Sequence, residues 1–150
     1  MDSVFDIEKP GPETETVFTV TDYWDGPLQG IANHEGKPHF YERIFDEASD
    51  DYSDLYRLTP INESTFRFAM EAWNIWRRWE AAFHAGNTSQ ETHPALPEDR
   101  ARHEELRQVL TNALESSPNA IVQKGNFSVL EHADTPKGVM HPLQVLWTNP

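Results

Sequence analysis

Between Asn62 and Gly86 apolar residues recur every three or four positions, in NESTFRFAMEAWNIWRRWEAAFHAG, and no proline interrupts them. This spacing predicts an α-helix. Asn62 suits the N-cap, Glu63 answers the helix dipole, and Gly86 can close the other end in the left-handed conformation. Arg67, Glu71, Asn74 and Arg78 share one polar strip, while Phe68, Ala69, Ala72, Trp73, Ile75, Trp76, Trp79, Ala82 and Phe83 cover the rest of the circumference. So wide an apolar surface calls for cover on more than one side, by a sheet and a second helix. The tryptophans are expected to be core.

Upstream the period changes from three-and-four to two. Thr16–Trp24 carries β-branched and aromatic residues, with Phe18, Val20 and Trp24 expected to face the core. Asp25-Gly26-Pro27 then favours a turn. Gln29–Asn33 reads as a second strand and Pro38–Phe45 as a third, with Phe40 and Ile44 inward and His39, Tyr41 and Arg43 outward. The acidic run Asp46–Asp54 reads as a loop, and Leu55–Leu58 as a short fourth strand. Pro97 fits the first turn of a second helix that runs to about Glu115 and presents Leu106, Val109, Leu110, Ala113 and Leu114 on one face. Its other face offers the pairs Glu98 with Arg102 and Arg100 with Glu104. Ala120–Glu131, with a bulge or bend at Gly125, and Leu143–Thr148 are the closing strands.

The order βββ(β)ααββ segregates strands from helices. It predicts an α+β fold with a largely antiparallel sheet of five to six strands packed on the long Trp-rich helix and a second amphipathic helix. Residues 1–15 are acidic and poor in apolar positions and are expected to form a mobile tail; 16–150 form a single domain.

Composition narrows the function classes. The chain has no cysteine, which excludes disulfides, thiolate zinc sites and thiol nucleophiles and suits a reducing cytoplasm. Its start lacks a basic segment followed by an apolar one, and no stretch reaches the ~20 apolar residues of a membrane span. A bacterial-type cytoplasmic location is expected. The formal net charge of -13 is uneven, since residues 1–60 hold 14 acidic and 4 basic side chains. Such a field repels phosphate backbones and anionic membranes and favours a basic partner, besides serving solubility.

Recognisable catalytic machinery is missing. The sequence has no G-x-G-x-x-G, no phosphate-binding G-x-x-x-x-G-K-[ST], no G-x-S-x-G and no H-E-x-x-H. Read against a calcium loop beginning at Asp46, the run fails at ligand, glycine and closing glutamate. His34 and His39 flank a hairpin turn beside Glu35 and Glu42 without diagnostic metal spacing. No metal and no cofactor is expected.

Two groups of residues remain as binding candidates. Asp22, Tyr23, Trp24 and Asp25 place aromatic faces beside carboxylates at a turn, and Asp46, Asp50, Asp51 and Asp54 concentrate charge in the acidic run. The leading expectation is a non-enzymatic acidic protein that binds a basic protein, in the manner of an inhibitor or immunity protein. The alternative is a small-ligand binder or enzyme with a pocket between the sheet and the Trp-rich helix, using Asp22, Asp25, Glu42 or His39. A third is a homodimer that buries part of the helix's excess apolar face.

Overall fold

A computed structural model describes residues 13–115, 119–130 and 142–150; the expected tail falls mostly on residues outside this set. The strands are β1 (Glu15–Thr16), β2 (Asp22–Tyr23), β3 (Pro27–His34), β4 (Lys37–Asp46), β5 (Asp51–Pro60), β6 (Ile121–Val129) and β7 (Leu143–Thr148). Helix α1 spans Glu63–His84 and α2 spans Arg100–Glu115, with short 3-10 turns at Gln90–Thr92 and Pro97–Asp99 between them. The fold is α+β, and its sheet has seven antiparallel strands in the order β1-β7-β6-β5-β4-β3-β2.

The sheet curls until its two edges are joined by one stretch of chain. Glu15 and Thr16 pair with Val145 and Gln144 of β7, and the next residue, Val17, bridges to Ala32 of β3. Phe18 and Thr19 then donate backbone amides to the Ile31 carbonyl, and Thr21 donates to that of Gln29. The Thr19 hydroxyl accepts the Ile31 amide at 2.8 Å, replacing a carbonyl that an irregular strand cannot supply there. At the far end Glu15 spreads its two carboxylate oxygens over the amides of Glu35 and Gly36, at 2.9 and 2.8 Å, and so caps the β3–β4 turn.

Inside the curl lies an aromatic core. Ala32, Tyr41, Tyr56, Leu58, Val145 and Trp147 are buried, and Val17 and Phe127 pack against them. Three polar tips within it satisfy backbone carbonyls of the closing strands: Tyr41 donates to Thr19 at 2.9 Å, Tyr56 to Pro27 at 2.7 Å and Trp147 to Asn33 at 2.8 Å. Glycine makes the room. A Cβ on Gly30 would stand 2.1 Å from the Thr19 carbonyl oxygen and 2.6 Å from the Tyr41 hydroxyl, and one on Gly125 would strike Trp147 and Tyr56. Gly125 keeps its regular pairing with Trp147, so space for the rings, not a bulge, accounts for it.

The inward face of β4 is the reverse of the one its sequence suggests. Tyr41 is fully buried and His39 nearly so, while Phe40 turns to the helices and Ile44 is only partly covered. The other face is covered as well, where Phe40 and its β3 partner Ile31 lie under the helices, and alternation cannot rank two covered faces. Trp24, expected inward, is 68% exposed. The acidic run is not a long loop: β4 continues to Asp46, β5 begins at Asp51, and only Glu47–Asp50 turn between them.

The helices form a second, smaller core. Asn62 caps α1 by accepting the Thr65 amide at 2.8 Å, and Gly86 follows its end at φ +79°. Ile75, Ala95 and Leu106 are buried together with Phe68 and Ala72 around them. The polar strip of α1 holds α2 and the 3-10 turn that leads into it through two forked pairs, Arg102 on Glu71 (2.6 and 2.8 Å) and Arg78 on Asp99 (3.1 and 3.0 Å). Arg102 therefore reaches across helices, also approaching Glu105, instead of pairing along its own helix with Glu98, and Glu104 joins Arg107 rather than Arg100. Val109, expected on the apolar face of α2, is exposed. Among the described residues no helix is long and apolar enough to cross a membrane.

Four outcomes follow for stability. Tyr41→Phe removes the donor to a buried carbonyl and should cost about 1–3 kcal/mol in urea unfolding, while Gly30→Ala should cost ~3 kcal/mol or more because its contact is with backbone. Burial pushes the Tyr56 phenol up from its ordinary value near 10 to about 12, and raises Tyr41 further still. Their stabilisation is complete below pH 10 and drains away as pH climbs through the raised values, so Tyr56 alone should cost ~2–3 kcal/mol between pH 10 and 12. Unfolding midpoints across that range, flattened in Tyr56→Phe, check it. On α1, Glu80 is buried, and its Oε1 has no hydrogen bond although Arg77 Nε lies 3.2 Å away. Burial raises its carboxyl, so its contribution is lost as pH rises through that raised value; Glu80→Gln should stabilise the protein at pH 7 by of order 1 kcal/mol, and no gain at pH 4 is expected.

Candidate functional site

The two acidic turns meet at one end of the curled sheet. Arg43, near the end of β4, joins them: its Nη1 donates to the Asp25 carbonyl at 3.2 Å and its Nε to the Ser53 carbonyl at 2.6 Å, with its guanidinium lying over Tyr52 and Tyr56. Asp22 and Asp25 come from the β2–β3 turn, and Asp46, Glu47, Asp50, Asp51 and Asp54 from the β4–β5 hairpin. Arg43 is largely enclosed, and Lys124 stands 3.7 Å from Asp54, so the end stays strongly negative.

Several of these carboxylates shape the turns that carry them. Asp22 accepts the Tyr23 amide at 2.9 Å and Asp51 the Tyr52 amide at 2.7 Å; Asp46 accepts the Ala48 amide at 3.0 Å and the Ser49 hydroxyl at 3.1 Å. Among the described residues the side chains of Asp25, Glu47 and Asp50 make no such bond and face solvent. Asp25 and Asp50 also sit at positive φ, 52° and 55°, a region costly for any residue with a Cβ.

Aromatic rings stand among the acids. Tyr23 is 55% exposed and Trp24 68%, and across the same end Phe45, 45% exposed, packs edge-on against Tyr52 at 5.1 Å. Single exposed rings are ordinary, but apolar surface grouped at one end of a sheet is the kind that marks an interaction site.

His39 and Glu42 belong elsewhere. His39 lies by the β3–β4 turn, at the opposite end of β4, where its Nδ1 donates to the Lys37 carbonyl at 2.8 Å and its ring meets His34 at 5.3 Å; burial lowers its pKa. Glu42 pairs with Arg57 across β4–β5 at 3.2 Å. Neither joins Asp22 and Asp25. Among the described residues no group of three or more His, Asp or Glu side chains is placed to hold a metal ion.

A cavity of about 510 Å³ lies between the sheet's outer face and the helix pair. Ile31 and Phe40 form its sheet side, Ala69, Ala72, Trp73 and Trp76 come from α1, and Leu110 and Leu114 from α2. Asp22 and Tyr23 reach it; Asp25, His39 and Glu42 do not. His93, His103 and Arg107, which the sequence reading passed over, line it instead. The signal for them was helical spacing, His103, Arg107, Leu110, Thr111 and Leu114 sharing one stripe of α2, but only the layering shows that this stripe faces a space. No protein-family model matches the chain, and neither a curated protein nor a solved structure matches it.

Proposed function

We propose that this chain is a non-enzymatic binding protein of the cytoplasm that recognises a basic protein through the acidic, aromatic end of its sheet. An inhibitor of a basic enzyme or toxin is one form such a protein takes. The observation that carries the reading is the meeting of two turns, distant in sequence, whose exposed Tyr23, Trp24 and Phe45 stand next to Asp22, Asp25 and Asp46 along the chain. Aromatic anchors inside a charged rim are the arrangement in which protein interfaces concentrate their affinity, and like charge around them steers an oppositely charged partner.

The test is capture of a basic protein from native lysate followed by kinetics with the purified pair. Trp24→Ala should weaken the complex by about 2 kcal/mol, ~30-fold, chiefly through faster dissociation. Asp25→Gly and Asp50→Gly should slow association while raising the unfolding midpoint, a separation that damage to the fold would not produce. Raising ionic strength from low to physiological values should cut the association rate by ~10-fold or more. Affinity untouched by Trp24→Ala, or an association rate indifferent to salt, overturns the reading.

A further inference from the structure

The cavity between sheet and helices is a cleft open to solvent along a rim that includes Asp22, Tyr23, His93 and Thr111. Its volume of about 510 Å³ and its largely apolar, aromatic lining are those of small-molecule sites.

Its walls are held open. The indoles of Trp73 and Trp76 stack on each other at 5.0 Å, and the Arg77 guanidinium lies 5.8 Å from the Trp73 ring centre. Trp79, buried, donates to the Thr92 hydroxyl at 2.7 Å and meets His93 edge-on at 4.7 Å, which fixes the loop that brings His93 to the cavity. The forked pair of Glu71 with Arg102 across the helices, and that of Arg78 with Asp99 in the turn leading into α2, hold the helices at their spacing. Such a site would bind without first being assembled.

The one arginine of the lining is already paired. Arg107 donates through both arms to the Glu104 carboxylate, and Asp22 turns one oxygen to the Tyr23 amide. Burial lowers the pKa of His103, which keeps its ring neutral near pH 7. An anion entering would lose hydration against an apolar wall without a free cation to receive it and would meet the field of a chain at -13, and a cation would find one carboxylate, the exposed Asp22, with the rest of the wall largely apolar. Hydrogen-bonding capacity remains: the Gln29 amide and the rings of His93 and His103 make no hydrogen bond among the described residues.

From this lining we infer that the cavity is a binding site for an uncharged, largely apolar small molecule with a flat ring system. The rings lie against Trp73, Trp76 and Phe40, and one or two polar groups reach Gln29, His93 or His103. The site meets the acidic end only at Asp22 and Tyr23 and stands whether or not that end binds a protein.

N-phenyl-1-naphthylamine, a neutral aromatic probe, and its anionic relative 8-anilinonaphthalene-1-sulfonate differ in charge at nearly constant shape. The neutral probe should bind saturably at one per chain, with enhanced emission and quenched tryptophan fluorescence, and the sulfonate at least ~10-fold more weakly. Ala69→Trp, which fills the cavity, should abolish binding. Because that residue is buried, Thr111→Trp on the exposed rim of α2 serves as the second variant and should weaken binding ~10-fold or more with the circular dichroism spectrum unchanged. Trp24→Ala should leave it unaltered. Unsaturable binding, equal binding of both probes, indifference to both cavity variants, or loss in Trp24→Ala would each overturn the inference.

Discussion

Everything in this molecule depends on the closing of the sheet by residues 15–23. A sheet of this length has two edges of unpaired amides and carbonyls, and burying an aromatic interior between them requires that both be satisfied. One irregular stretch does this, pairing first with β7 and then with β3. Because it changes partners at Val17, its ladder cannot be regular, and side chains complete it: the Thr19 hydroxyl takes the Ile31 amide, and the Tyr41 hydroxyl satisfies the Thr19 carbonyl from inside. Gly30 is the geometric condition for both, since no other residue lets the Thr19 carbonyl approach so closely.

The closure also places both candidate sites. As the segment leaves the edge of β3 it must turn back at Tyr23–Gly26, and that turn comes to rest against the β4–β5 hairpin through Arg43. On the outer side the same residues, Thr19 to Tyr23, form one wall of the cavity whose opposite wall is the helix pair. Asp22 and Tyr23 therefore belong to the boundary between the two sites, while Trp24 and Asp25 belong only to the acidic end.

How much of this the sequence discloses differs by kind of signal. The helices, their caps at Asn62 and Gly86, and the strand Leu143–Thr148 are local events written in spacing and turn chemistry, and they fall where the pattern puts them. The acidic turns were legible as candidates for the same reason, though their meeting through Arg43 depends on a tertiary contact with a backbone carbonyl, which no pattern encodes. The facing of β4 was not legible. Tyr41 is a polar-tipped residue at an inward position, and only the carbonyl of Thr19, 22 residues earlier, makes it more buriable than Phe40. Likewise Gly125 resembles a bulge signal until Tyr56 and Trp147 are seen on either side of it.

The tryptophans of α1 give the sharpest case. Three indoles at helical spacing read as one core, yet they divide: Trp79 is buried and anchors the loop through Thr92, while Trp73 and Trp76 stay half-covered and stack at the cavity wall. Two neighbouring stripes of α1 account for the division: Phe68, Ala72 and Ile75 recur at helical spacing in the core shared with α2, and Trp79 follows Ile75 by one turn on the same face, while Ala69, Trp73 and Trp76 recur on the adjoining face that lines the cavity. So wide an apolar surface serves two partners, and Ala72, on the border, belongs to both.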